Sequence, residues 1–141
     1  MIDLQPTVCN LCGGHVILTS NSVIYGREYG SGKCYFCNSC KAYVGTHIPR
    51  PEEAFGILSN AEMREMKTRC HEIFDQFWKN AGSGKKRHQK RQDAYKRLAK
   101  DMEIPITECH FGYFGIGQLR KAYEIVSGWV YEFERCEKPE L

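Results

Sequence analysis

Two cysteine pairs of the same spacing, Cys9-Asn-Leu-Cys12 and Cys37-Asn-Ser-Cys40, stand with 24 residues between them. Each pair can close a tight turn that aims two sulfurs at one point, and four thiolates so arranged complete the tetrahedral shell of a zinc ion. Gly13 and Gly14 give the chain the freedom to turn directly after its second sulfur. A closed shell of four thiolates leaves no position for an activated water. The spacing therefore predicts a structural zinc held by Cys9, Cys12, Cys37 and Cys40.

Other uses of these cysteines fit less well. Disulfides belong to secreted domains, and Met1-Ile-Asp-Leu-Gln-Pro6 has neither the basic nor the apolar segment of a secretory leader. A redox-active CxxC normally occurs singly, at the start of a helix after a strand, whereas here two copies flank strand-like sequence. Cys34-Tyr-Phe-Cys37 is also a CxxC, but pairing Cys37 with Cys40 gives the usual two-residue loop and leaves Cys34 as a spare thiol in the preceding strand. His47, seven residues after Cys40, is read as a strand-end histidine rather than a ligand.

The 141 residues suit a metal-dependent module joined to a small helical one, expected over 1–58 and 59–141. His15 to Tyr25 is rich in β-branched residues and broken by Ser20-Asn-Ser22, which predicts strand, turn, strand. Further strands are expected at Lys33–Phe36 and Ala42–His47, before Pro49-Arg-Pro51 ends the sheet. So small an antiparallel sheet needs its metal to be stable. Ser59-Asn-Ala-Glu62 reads as a capping box opening a helix from about Asn60 to Lys79, with Met63, Met66, Cys70, Ile73, Phe74, Phe77 and Trp78 on its inner face. Gly82-Ser-Gly84 breaks the chain. A second helix is expected from Lys85 to Met102, burying Ala94, Tyr95, Leu98, Ala99 and Met102. Thr107 is read as the cap of a short piece, and Gln118–Val130 as the last helix, with Leu119, Ala122, Tyr123, Val126 and Trp129 inward. The expected class is α+β: a four-cysteine zinc ribbon with a small antiparallel sheet, followed by a three- or four-helix bundle.

Charge is distributed unevenly behind a net of +3. Residues 1–58 balance at four basic and four acidic side chains. Lys85 to Lys100 holds eight Lys or Arg against Asp93, and Tyr123 to Leu141 holds five Glu against Arg135 and Lys138. No apolar run is long enough to span a membrane, and eight cysteines without a leader point to a reducing cytoplasm.

The order of motifs resembles a known family. Cys-x-x-Cys-Gly-Gly, Val-Ile-Tyr-Gly-Arg-x-Tyr-Gly and Cys-x-x-Cys-x-Ala-Tyr-Val-Gly-Thr-His are followed by Leu-Ser-Asn-Ala-Glu and a Phe-Asp-x-x-Trp helix. Ala-Tyr-x-x-Leu-Ala and Glu-Cys-His-Phe-Gly-Tyr-Phe complete the series. Over nearly the whole chain this is similar to the zinc-finger-containing domain family of unknown function found in bacteriophages and prophage regions. The resemblance implies zinc at Cys9, Cys12, Cys37 and Cys40 and a phage setting. It implies no activity.

Nucleic-acid binding leads among functions, because a folded zinc ribbon beside a helix dense in cations combines a platform with phosphate-neutralising charge. Lys85, Lys86, Arg87, Lys90 and Arg91 are the expected backbone contacts. Tyr25-Gly-Arg-Glu-Tyr-Gly30 offers stacking aromatics around Arg27. Ala94 to Val130 can also be read as a distorted helix-turn-helix. The alternative is a protein that binds a host protein through its aromatic ribbon and acidic tail, with a purely structural zinc. No complete catalytic constellation is found. His71-Glu-Ile-Phe-Asp75 has Asp where a zinc protease needs its second His, and no His-x-Glu accompanies a CxxC as deaminases require. Cys70-His71, Cys109-His110 and Cys136 are not read as a second metal site, and Cys70 and Cys109 are expected to pack in the bundle.

Overall fold

The computed structural model describes the backbone of residues 2–137 and the side chains of residues 2–132. The described chain divides into two compact units between Arg64 and Glu65.

The first unit is built on a three-stranded antiparallel sheet of order β1-β2-β3, formed by Val16–Ser20, Lys33–Cys37 and Tyr43–Gly45. The register pairs Val16 with Cys37 and Leu18 with Tyr35, then Tyr35 with Val44 across the second ladder. Alternation therefore puts Val16, Tyr35, Cys37 and Val44 on one face, where they join Cys9, Ala42, Ala54 and Leu58 in a buried cluster. Two members of that cluster, Cys9 and Cys37, belong to the CxxC pairs. The apolar core is too small to hold a sheet by itself.

The second predicted strand is not formed. Ser22–Tyr25 is a single helical turn, α1, closed by Gly26 at φ 78°. The cause is Asn21, which is buried and uses its side chain on the chain ahead. Its Nδ2 donates to Tyr29 O at 2.7 Å and its Oδ1 accepts from Tyr29 N at 3.1 Å. That clasp curls residues 21–29 into a loop and overrides the β preference of Val23-Ile24. After β3 the chain leaves the sheet, and a bridge between Thr46 and Ala54 closes a turn around Pro49 and Pro51.

Helix α2, Ala61–Phe74, starts one residue later than the capping box suggested. Ser59 is held by reciprocal backbone bonds to Tyr43, so Asn60 becomes the cap, its Oδ1 accepting from Met63 N at 2.9 Å. A 3₁₀ turn, Asp75–Phe77, finishes the helix where an α-helix to Lys79 was expected. Of the predicted stripe, Met63, Cys70 and Phe74 are buried, while Met66, Ile73, Phe77 and Trp78 are half-buried.

Two longer helices complete the second unit, α3 over Gly84–Met102 and α4 over Ile116–Glu137. Ser83 caps α3 by accepting from Lys86 N, and the buried positions are the five expected ones. Phe74 lies at the centre of an aromatic cluster, with ring centroids 4.7 Å from Tyr95, 5.2 Å from Phe111 and 6.3 Å from Trp129. Residues 103–115 connect α3 and α4 through two 3₁₀ turns, Ile106–Glu108 and Phe111–Tyr113. Thr107 sits inside the first of these, with Pro105 at the cap position. The connection is far longer than a helix-turn-helix allows, which removes that reading. Leu119, Ala122, Val126 and Trp129 are buried on α4, and Tyr123 is half-buried. Of the expected acidic tail, Glu124 and Glu132 are described. The side chains of Glu134, Cys136 and Glu137, and all of Glu140, lie outside what is described. No helix among the described residues is long and apolar enough to cross a membrane.

Candidate metal centre

The two cysteine pairs form the same knuckle twice. In the first, Cys9 N donates to Gly14 O at 2.9 Å and Gly13 N to Cys9 O at 2.9 Å. In the second, Cys37 N donates to Ala42 O at 2.9 Å and Lys41 N to Cys37 O at 3.0 Å. The residue after each pair must take positive φ to close the turn, 76° at Gly13 and 68° at Lys41. Glycine does this without strain, whereas Lys41 is held there with its Nζ donating to Asn38 O at 2.9 Å. Gly14 answers a different need: a Cβ there would lie 2.6 Å from Ser39 Oγ, so the knuckles approach too closely for a side chain at that point.

The first knuckle is also tied to the end of the ribbon. Asn10 Nδ2 donates to Leu58 O at 3.0 Å while Asn10 Oδ1 accepts from Leu58 N at 2.9 Å. Both backbone groups of a fully buried residue are thereby satisfied by one side chain. Sequence reading passed over Asn10, and nothing in its spacing distinguished it from Asn38.

The four Sγ atoms all lie within 4.8 Å of one another. Cys9 and Cys40 sulfurs are 3.7 Å apart, and those of Cys12 and Cys37 are 3.5 Å apart. A tetrahedral ion with metal–sulfur bonds of about 2.3 Å needs sulfurs about 3.8 Å apart, so the donor set fits zinc. Backbone N–H groups point at the sulfurs: Leu11 N to Cys9 at 3.4 Å, Gly14 N to Cys12 at 3.3 Å and Cys40 N to Cys37 at 3.5 Å. Such donors offset the negative charge that four thiolates gather around one dication.

Proton affinities within the set are split. The Cys40 N–H, with help from the Cys12 thiol, holds Cys37 down to about 6. The Ala42 N–H pulls Cys40 down, but burial and the neighbouring thiols outweigh it and push Cys40 up to about 12. The four sulfurs therefore titrate as one coupled set, and metal entry must displace the protons that they hold.

Other thiols stay outside the centre. Burial pushes Cys34 up, and it pushes Cys70 and Cys109 up to about 11 each, and none of the three belongs to the four-sulfur group. Cys70 Sγ instead donates to Leu119 O at 3.5 Å. His47 meets Phe55 edge to face at 4.5 Å, and His71 Nδ1 faces Asp75 Oδ1 at 3.4 Å. No second group of three or more metal-binding side chains converges among the described residues.

The model of a zinc-finger-containing domain family matches residues 5–128, from just before the first knuckle into α4. The chain belongs to that family. No curated protein and no solved structure matches it. Together with the tetrahedral fit of the sulfurs, membership makes the centre of this zinc-finger-containing domain a structural zinc site.

The expected nucleic-acid contacts fall on both units. Lys85, Lys86, Arg87 and Lys90 are exposed on the first turns of α3, and among the described residues none forms an ion pair. Arg91 is half-buried, its guanidinium 5.5 Å from the Trp78 ring and 5.0 Å from that of Tyr95. Arg27 Nε donates to Tyr29 OH at 2.7 Å and lies over that ring at 4.6 Å.

Proposed function

We propose that this zinc-finger-containing domain is a non-enzymatic nucleic-acid-binding module, phage- or prophage-encoded and working in the bacterial cytoplasm, with zinc in a purely structural role. The observation that carries the reading is the start of α3. Its first turn has no acidic residue and holds Lys85 and Lys86, with Arg87 next. Cations there oppose the positive end of the helix dipole, at a cost of roughly 0.3–1 kcal/mol each. A sequence chosen for stability alone would put Asp or Glu at these positions, so the charges serve something other than the helix. Phosphate answers both the cations and the free N–H groups of the turn.

The test is a mobility shift of the zinc-loaded protein on DNA and RNA across a salt series, beside a K85Q/K86Q/R87Q/K90Q variant. Each phosphate contact contributes about 0.9 to the slope of log affinity against log salt on duplex, so four lost contacts flatten it by about 3.6. Absence of binding to any nucleic acid at low salt overturns the proposal. Capture of a host protein that survives both high salt and the neutralised helix favours the alternative, a host-binding interaction protein.

A further inference from the structure

The ribbon carries a concavity that neither the zinc nor the basic helix uses. It encloses about 540 Å³, with Tyr25 and Tyr29 on one wall, Ile48 and Phe55 on the other, and Lys33 and Thr46 between them. Tyr25 is 52% exposed, Tyr29 48%, Phe55 53% and Ile48 70%. Four large apolar side chains around one hollow contribute little to a core, and in a unit with so small a core their exposure is costly.

Both walls are fixed before anything binds. Asn21 clasps the backbone of Tyr29 on the first, and Ser31 Oγ meets Thr46 Oγ1 at 2.6 Å, tying that loop to the floor. On the second, Phe55 N donates to Gly45 O at 3.0 Å, and the Phe55 ring packs against Gly45, where an added Cβ would come within 3.3 Å of it. Tyr25 and Tyr29 meet edge to face at 5.5 Å, and about half of each of the three rings stays exposed, which leaves aromatic surface for a flat guest.

The charge around the hollow selects that guest. Lys33 is among its lining residues, Arg27 lies over the Tyr29 ring at 4.6 Å, and no carboxylate lines it. Rings with adjacent cations match a base with its phosphate. A duplex keeps its bases stacked and cannot offer one.

We infer that this groove binds an unstacked base of a single-stranded nucleic acid, stacking it against Tyr25, Tyr29 and Phe55 while Lys33 and Arg27 meet the flanking phosphates. The inference rests on the nucleic-acid reading above and makes it specific for single strands at a second surface.

Fluorescence anisotropy of labelled 12-nucleotide single strands and a 20-base-pair duplex tests it, using zinc-loaded full chain. The variants are Tyr29→Leu, Phe55→Leu and the neutralised α3, and bound zinc serves as the folding control. Loss of a stacked base costs about 5- to 150-fold, so single-strand affinity falls by that factor in the two ring variants and duplex affinity does not change. Photo-crosslinking of the unaltered protein to a thiothymidine-containing strand supports the groove if the adduct falls on Tyr25, Tyr29 or Phe55. Adducts confined to residues 85–100, or ring variants that bind single strands as the parent does while the α3 variant does not, overturn the groove and leave the module's function standing. Absence of binding to every nucleic acid by all proteins overturns both.

Discussion

Replacing Cys37 with alanine is expected to abolish zinc binding and unfold the ribbon, while α3 and α4 remain helical. Cys37 ends β2 and is fully buried, and its sulfur lies 3.5 Å from that of Cys12 and faces the Cys40 N–H at 3.5 Å. A structural zinc contributes about 10–16 kcal/mol of apparent binding energy in small zinc modules, and that energy is folding energy. The buried cluster that would have to replace it has eight members, of which Cys9 and Cys37 are themselves ligands. The amide resonances of residues 2–64 should collapse to the narrow range of an unfolded chain, and chelation of the parent should reproduce the effect. Dispersed resonances from β1, β2 and β3 in the variant would show a sheet that stands without its metal.

The second large effect is expected at Phe74, whose alanine variant should lose about 3–5 kcal/mol of stability in the helical unit. Phe74 is fully buried and is the ring that Tyr95, Phe111 and Trp129 share. Truncation leaves a cavity among aromatics that are fixed from outside: Trp129 Nε1 donates to Asp101 Oδ2 at 2.9 Å, and Arg97 covers the same indole at 4.4 Å. Such anchored neighbours cannot collapse inward. A loss of that size is a large share of the 5–15 kcal/mol typical of a domain, and it lowers the melting temperature by roughly 12 °C or more. Thermal melting followed by tryptophan fluorescence reads it directly. An unchanged midpoint would mean that the cluster is not the centre of the helical core.

The parts of this molecule written in local chemistry could be read from the sequence. The CxxC spacing located four sulfurs that meet, and Gly82-Ser-Gly84 with the periodicity behind it located α3 and its buried face. The parts decided by contacts distant in sequence could not. Val23-Ile24-Tyr25 reads as strand because its β-branched residues say so, yet Asn21 reaches eight residues ahead to Tyr29 and folds the segment into a turn. Ser59 reads as the cap of α2, but Tyr43 engages its backbone and passes the role to Asn60. Lys41 stands where the first knuckle has Gly13, so sequence gave no cue that the second turn also needs positive φ. The aromatic groove was half visible: Tyr25 and Tyr29 stand out beside Arg27, while Phe55 joins them only through the turn that pairs Thr46 with Ala54.

These observations separate what holds the ribbon from what it presents. The zinc knuckles and the Asn10 clamp on Leu58 lie with the buried face of the sheet. The exposed rings and their cations belong to the loops that the sheet supports, which is where a binding surface can vary without disturbing the metal. On the proposed reading, the zinc supplies stability and the aromatic loops supply the binding surface.

Zinc K-edge X-ray absorption on the purified protein, with metal content measured on the same sample, addresses the central claim most directly. One zinc per chain with four sulfur scatterers at about 2.3 Å is the expected result. A nitrogen or oxygen scatterer in the first shell, or a chain that is folded with no zinc bound, would contradict the closed four-thiolate centre on which the ribbon is built.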